Sequence, residues 1–259
     1  MLLDDRVAIV SGIGPGMGRD ISLALAREGA DVVLAARSQD RLEEVAGEVA
    51  RLGRRAVTVP TDITDDAQCR NLAETAVVEL GGVDVLVNNA FRQPPFERLE
   101  DADAESWRKG LKVNLMGTMQ LTHAVIPALK ARGSGSIVFI NSMSARRIEP
   151  EYGVYAAGKA ALLSAAKTLA LELGEHGIRV NSVVPGYIYG DSVRMLFEMR
   201  AAENGTTAEH EEELVRAETA LRHIPTSAEI AETVVFYASD LSRVVTGTAL
   251  DVNGGHWFG

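Results

Sequence analysis

The sequence is poor in the residues that mark several classes of protein. It holds one cysteine, Cys69, in 259 residues, so no disulfide closes within the chain. Its 26 Lys and Arg stand against 36 Asp and Glu, a formal net charge of -10. That balance lacks the basic footprint selected by phosphate backbones or anionic membranes, and nucleic acid and membrane are excluded as expected partners. No apolar run approaches the ~20 residues that span a bilayer. The opening ten residues, MLLDDRVAIV, place acidic groups where a signal peptide needs a basic start and a longer apolar core. The cytoplasm is the expected compartment. The histidines, His123, His176, His210, His223 and His256, share no metal-ligand spacing with one another or with Cys69, so no metal site is expected. Internal repeats, low-complexity tracts and linkers are also missing, which leaves a single domain over 1–259 as the simplest organisation.

What is present is an alternation. The chain is 46% hydrophobic and only 5% aromatic. Short runs rich in Val and Ile recur from Val7, Val32, Ala56, Val83, Ser136, Arg179 and Ala249. Between most of them lie segments of helical period, such as the stretch from Asp20, where Ile21, Leu23, Ala24 and Leu25 supply an apolar side and Gly29 a stop. Continuous apolar strands joined by crossover helices predict a seven-stranded parallel sheet with helices on both faces, a doubly wound α/β domain of the Rossmann type. One span breaks the rhythm, from about Tyr187 to Pro225. It reads as two helices around an Asn204-Gly205 turn, with the acidic run Glu211 to Glu213 as a solvated face. Met195, Leu196, Phe197 and Met199 offer an apolar helix face there, and the whole span (187–225) is expected to act as a substrate lid.

Directly after the first strand come Gly12, Gly14, Gly16 and Gly18, just ahead of a helix. Glycines permit positive φ and close approach of backbone to a pyrophosphate, and the following helix N-terminus offers free N–H groups and a partial positive charge. Further along, YAAGK places Tyr155 and Lys159 four residues apart, on one face of a helix, whereas Tyr152 has Ala156 at that spacing. A cation near a phenol favours phenolate, which brings proton exchange with an alcohol or ketone within reach of neutral pH.

The glycine pattern, Gly12-x-x-x-Gly16-x-Gly18, resembles the cofactor loop of the short-chain dehydrogenase/reductase family. The resemblance extends through NNA at Asn88 to Ala90, the Asn114 segment, Ser142 thirteen residues before Tyr155, YAAGK, and RVNSVVPG with Asn181, Pro185 and Gly186. The family implies reversible hydride transfer between a nicotinamide cofactor and a secondary alcohol or ketone. Tyr155 would be the general acid/base, Ser142 would hold the substrate oxygen, Lys159 would lower the phenol's pKa and bind the nicotinamide ribose, and Asn114 would hold a water. For the cofactor it implies contacts at Gly12, Gly14, Gly16, Met17 and Gly18 (pyrophosphate), Asp62 and Ile63 (adenine), Asn88 to Ala90 (adenosine ribose side), and Pro185, Gly186 and Ile188 near the carboxamide. Members of this length commonly form dimers or tetramers, and a homotetramer or dimer is expected here, with Trp257 and Phe258 covered by a partner.

The sequence also departs from the family. Phe91 follows NNA where the family has glycine, and Gly190 replaces a usual threonine, followed by Asp191 and Ser192. The stretch between Ser142 and Tyr155 carries Ser144, Arg146, Arg147 and Tyr152. Ser144, Tyr152 and Tyr187 are the candidate substrate residues. The arginine pair either receives a carboxylate or phosphate or is tied to Glu149 and Glu151, and both readings stay open. At the end of the second strand, Ala36 occupies the place where NAD users commonly put an acidic side chain, and Arg37 follows, able to pair with a 2′-phosphate. NADP(H) is the expected preference, with NAD(H) second. Two other functions share the fold: a non-catalytic dinucleotide-binding regulator, and a lyase or epimerase using the same Tyr/Lys pair.

Overall fold

The structure, a computed structural model, describes residues 1–93 and 96–259. Seven strands form one parallel sheet: β1 (Val7–Ser11), β2 (Asp31–Ala36), β3 (Ala56–Pro60), β4 (Val85–Asn88), β5 (Gly135–Ile140), β6 (Ile178–Pro185) and β7 (Ala249–Val252). Their spatial order is β3-β2-β1-β4-β5-β6-β7. The order reverses between β1 and β4, whose register pairs Ser11 with Asn88. At such a switch point the crossovers leave in opposite directions and open a crevice beyond the strand ends.

The central strands are apolar on both sides because both sides are covered. Along β1, Ala8 and Val10 enter one apolar layer and Val7 and Ile9 the other. The first layer is closed by α1 (Met17–Arg27), α2 (Gln39–Arg51) and α9 (Ser227–Ala238). The second is closed by α3 (Asp66–Leu80), α5 (Thr118–Arg132) and α6 (Gly153–Leu173). Each fully buried Val, Leu or Ile contributes about 1.5–3 kcal/mol, so these two layers dominate the stability. Local signals set the helix limits. Asp65 caps α3 by accepting from the Gln68 amide, and Thr226 and Glu229 form a reciprocal capping box on α9. A short α4 (Ala104–Leu111), capped by Asp103, runs into a single π-helical turn over Lys112–Gly117 before α5 begins.

The span expected to break the rhythm does so as two helices, α7 (Asp191–Asn204) and α8 (Ala208–Glu218). Gly205 ends α7 at φ 67°, the left-handed conformation that makes Asn-Gly an effective stop. Two expectations within it need correction. The acidic run is not a solvated face throughout, because Glu211 is buried and accepts from the Thr206 hydroxyl (2.6 Å) and the Asn204 amide (3.2 Å). The Met195–Met199 stretch is not one apolar face either. Phe197 alone is buried, at the centre of a small cluster with Val215 and Ile224, while Met195 and Met199 are exposed. A helix that packs on so small a core has room for only one large anchor. Among the described residues no helix is long and apolar enough to cross a membrane.

Candidate active site

The C-terminal ends of β1 and β4 build the glycine loop. Gly12 takes φ 80°, and a Cβ there would lie 2.5 Å from Ala90 Cα; one on Gly18 would lie 2.3 Å from the Gly12 carbonyl oxygen. Only glycine fits either place. Gly14 and Gly16, by contrast, face open space, with no heavy atom within 4 Å of an added Cβ. Gly16 is the N-cap of α1 and provides no side-chain acceptor, so the first-turn amides at Met17 and Gly18 keep their donors for a ligand. The loop is pinned by Ser11, which no motif marked, and by Asn89 inside NNA. The Ser11 hydroxyl donates to the Val87 carbonyl and accepts from the Asn89 and Ala90 amides, and Asn89 Nδ2 donates to the Gly12 carbonyl at 2.8 Å. The second Asn of NNA was the available signal for this. Asn88, its neighbour, donates to the Thr122 hydroxyl, while its buried Oδ1 has no partner among the described residues.

At the neighbouring strand ends, Asp62 follows β3 and closes a turn, accepting from the Thr64 amide and hydroxyl at 2.9 and 2.8 Å. The Thr64 amide, chiefly, holds its carboxyl below the usual range, with Arg37 and Lys112 adding to the effect. Ile63 is buried beneath, against Gly117. Arg37 is exposed and forms no hydrogen bond or ion pair among the described residues; the conceivable tie to Asp40 is not made. On the far side, Pro185 ends β6, Gly186 lies so close to Asn253 that a Cβ would come within 2.8 Å of it, and Ile188 packs against the first apolar layer. An open glycine cradle, uncapped helix amides and an unpartnered buried acceptor fit a dinucleotide.

The candidate catalytic residues meet beside this crevice. Ser142 follows β5 and caps a short 3₁₀ turn by accepting from the Ser144 amide. Tyr155 and Lys159 share a face of α6. Burial pushes the Tyr155 phenol up from its ordinary pKa, and the nearby Ser142 side chain pulls the other way. Lys159 is 4% exposed; its Nζ lies 5.8 Å from the Tyr155 ring centroid and donates to the Ile140 carbonyl at 2.8 Å. Desolvation brings its pKa down to about 8. The downward pull on the phenol comes from Ser142, and burial disfavours the charged form of both Tyr155 and Lys159. Asn114, buried in the π-helical turn, gives its amide to the Arg92 backbone, accepting from Arg92 N–H and donating to Arg92 C=O, both at 2.8 Å. Its side chain anchors the loop that carries Phe91. Phe91, 54% exposed, sets its ring edge-on to Tyr155 at 6.2 Å.

Of the candidate substrate residues, Tyr152 stands 6.5 Å from Tyr155 ring to ring, and Tyr187 stacks on His256 at 5.6 Å. Ser144, half-buried, gives its amide to Ser142. The arginine pair is engaged. Arg146 reaches both Asp251 carboxylate oxygens at 2.7 Å, and Arg147 contacts His256, Glu149 and Glu218. Of the two acidic partners read from the sequence, Glu149 is confirmed for Arg147, while Asp251, a hundred residues distant in the chain, was out of reach of local reading.

Comparison with known proteins matches this arrangement. A family model described as enoyl-(acyl carrier protein) reductase covers residues 12–256. Dehydrogenase/reductase SDR family member 4 of Bos taurus is 35% identical over 253 residues, 98% of this chain and 88% of its own length. The crystal structure of carveol dehydrogenase from Mycobacterium avium in complex with NAD superposes with a TM-score of 0.92 at 29% identity, covering 98% of both chains. L-sorbose reductase from Gluconobacter frateurii, complexed with NADPH and L-sorbose, gives 0.90 at 30% identity over 99% of this chain and 98% of that one. Likeness that runs the full length, and not only through the glycine loop, makes the chain a member of the short-chain dehydrogenase/reductase family of oxidoreductases.

Proposed function

We propose that this protein interconverts a secondary alcohol and a ketone, with Tyr155 as general acid/base and NADP(H) as the preferred cofactor. The observation that carries the reading is Tyr155 one helical turn from a buried Lys159, whose Nζ lies 5.8 Å from the phenol ring, beside an open glycine cradle. The cofactor would be held by the loop from Gly12 to Gly18, the Asn88–Ala90 segment, Asp62 and Ile63, and the Pro185–Ile188 turn; when bound it supplies the hydride. In the reductive direction Tyr155 donates its phenolic proton to the carbonyl oxygen, which the Ser142 hydroxyl holds in line; in the oxidative direction the phenolate takes the proton back. Lys159 is the nearest store of a replacement proton, with a pKa close enough to neutrality to release it. Arg37, in no ion pair among the described residues although Asp62 acts on it from farther off, supports recognition of a 2′-phosphate, and Ala36 lacks the group that would repel one. The α7–α8 span acts as a lid, and the exposed Met116 and Leu171 beside α5 and on α6 mark a face for homo-oligomer formation. Light scattering is expected to give a dimer or tetramer mass, and hydrogen exchange in 187–225 is expected to slow when cofactor and substrate analogue bind. A monomer, or protection in the span that ligands leave unaltered, contradicts the respective proposal.

Three outcomes follow for the chemistry. Tyr155→Phe keeps the ring but removes the proton, so turnover is expected to fall by roughly 10²–10⁴ with cofactor binding retained. Because burial raises the phenol, the wild-type enzyme holds the proton at neutral pH and is a ready acid there. Reduction should therefore be near its maximum at pH 7, while oxidation climbs with pH as phenolate forms. Steady-state pH profiles in both directions check this, and an oxidation rate that is flat from neutral to alkaline pH speaks against it.

Lys159 charged in the core is destabilising. With a folded pKa of about 8 against an ordinary 10.5, the unfolded chain holds the proton more firmly, and the penalty is fully present below pH 8. It fades as pH rises from 8 to 10.5. Lys159→Met should therefore be inactive yet more stable at pH 7, by at most roughly 3 kcal/mol before the lost Ile140 hydrogen bond is set against it. Urea unfolding of both proteins at pH 7 and 10 measures the effect, which is expected to shrink at the higher pH. A mutant less stable than wild type at pH 7 means that Lys159 is a net stabiliser.

For the cofactor, kcat/KM with NADPH and NADH is compared in wild type and in the double variant Ala36→Asp, Arg37→Ala. A phosphate contact of about 1.5–3 kcal/mol gives roughly ten- to a hundredfold preference, which should move toward NADH in the variant. A wild type that already favours NADH tenfold refutes the NADP(H) assignment and leaves the acid/base chemistry untouched.

A further inference from the structure

With Arg146 and Arg147 committed to carboxylates and Arg37 on the cofactor side, the arginine near the tyrosines that stays available is one that no motif marked. Arg200 lies half-buried on α7. Its Nη2 donates to the Tyr187 hydroxyl at 3.0 Å, and its guanidinium carbon lies 5.8 Å from the Tyr187 ring centroid. Among the described residues it makes no ion pair within 4 Å, although two carboxylates act on it from farther off. Each of those is held elsewhere: Glu149 by Arg147 at 3.6 Å, and Glu211 by Thr206 and Asn204. Four of the five guanidinium N–H donors thus have no acceptor among the described residues.

The phenols around it are equally uncommitted. Tyr187, having accepted from Arg200, still has its own proton to donate. The Tyr152 hydroxyl has no hydrogen bond among the described residues, and both Arg200 and Tyr187 act electrostatically on it. Donors from α7 and from the turn after β6 therefore meet, with the Tyr152 hydroxyl at the start of α6 within electrostatic reach and no carboxylate paired with them among the described residues, in a protein of net charge -10. Tyr152 is also the ring next to Tyr155, at 6.5 Å. The group this cluster suits is an anion, and it is separated from the reacting carbon by the width of a tyrosine.

We infer that Arg200, with the hydroxyls of Tyr187 and Tyr152, receives a carboxylate or phosphate of the substrate, so that the substrate is an anionic ketone or alcohol whose charge lies several bonds from the carbon that reacts. The inference rests on the oxidoreductase reading above and narrows its substrate class. A charge adjacent to the carbonyl, as in a 2-oxo acid, would fall beside Tyr155 and miss Arg200. The lid helix gains a role from this, because a substrate carrying that charge draws α7 toward the catalytic tyrosine.

The test is a matched series at saturating cofactor: oxo acids of increasing spacer length, their methyl esters, and hydroxyketone phosphate monoesters. Each is assayed with wild type, Arg200→Met and Arg200→Lys. Wild type is expected to prefer a remote acid over its ester. The acid-to-ester ratio of kcat/KM should drop roughly ten- to a hundredfold in Arg200→Met, mainly through KM, and recover in part in Arg200→Lys. Whichever of the carboxylate and phosphate arms loses more identifies the anion. A wild-type ratio near one, or a ratio that Arg200→Met leaves unaltered, overturns the inference. Calorimetric titration of the same acids into the cofactor-loaded protein separates the two levels of failure. Acid binding that depends on Arg200 without turnover of any ketone removes the oxidoreductase reading and keeps the anion site. Turnover of neutral ketones with no preference for acids removes the anion site alone, and the absence of both turnover and binding removes both.

Discussion

One serine hydroxyl holds the place where this fold opens. Ser11 ends β1 and bridges to β4, donating to Val87 and accepting from the Asn89 and Ala90 amides, so that two strands whose helices leave in opposite directions stay joined at their tips. The Asn89 side chain then clamps the Gly12 carbonyl, and the glycine loop can turn at φ 80° with Ala90 at its back. Without that clamp the loop would have no fixed floor, and the free amides of α1 would not point into a defined crevice. Gly12 and Gly18 are demanded by backbone contacts in the protein, and Gly14 and Gly16 by the space left open for something else.

The same crevice shows how burial tunes chemistry. Desolvation acts on Tyr155 and Lys159 alike, raising the phenol from an ordinary value near 10 and lowering the amine from 10.5 to about 8, so that two groups of nearly equal proton affinity are set apart. The ammonium becomes the better proton donor of the two, and a phenolate formed beside it the better acceptor. Ser142 moderates the phenol, and the Ile140 carbonyl accepts one hydrogen bond from the amine. Keeping a lysine 4% exposed with only that partner is a stability liability that makes sense at a functional position and nowhere else in the core.

Departures from the family pattern gather on the substrate side. Phe91 leans its edge on Tyr155, and its loop is fastened by Asn114 through the Arg92 backbone. The rings of Phe91, Tyr155, Tyr152 and Phe96 follow one another at 6.2, 6.5 and 5.0 Å, a run of aromatics with Tyr155 inside it. The α7–α8 span contributes a different chemistry, since its own small core spends Phe197 on packing and leaves Arg200 against Tyr187. The C-terminal segment joins the same region through His256, which stacks on Tyr187 and contacts Arg147 and Glu218.

Much of this was legible along the chain, for physical reasons. Runs of Val and Ile bounded by helical periods determine a parallel sheet, because only burial on both faces suits them, and all seven strands lie where those runs do. Four-residue spacing determines that Tyr155 and not Tyr152 shares a face with Lys159, and the Asn204-Gly205 pair determines the break between α7 and α8. These are local properties, set within a few residues by backbone geometry. What each ionisable group is paired with is not local. Whether Arg146 met a substrate or Asp251, whether Glu211 faced water or the Thr206 hydroxyl, and which carbonyl received the Lys159 ammonium depended on which elements the fold laid side by side. Charge and desolvation act through space, so the fold class and the chemical class were determined by the sequence alone, while the partners that tune the site were decided only when the sheet and the α7–α8 span were assembled.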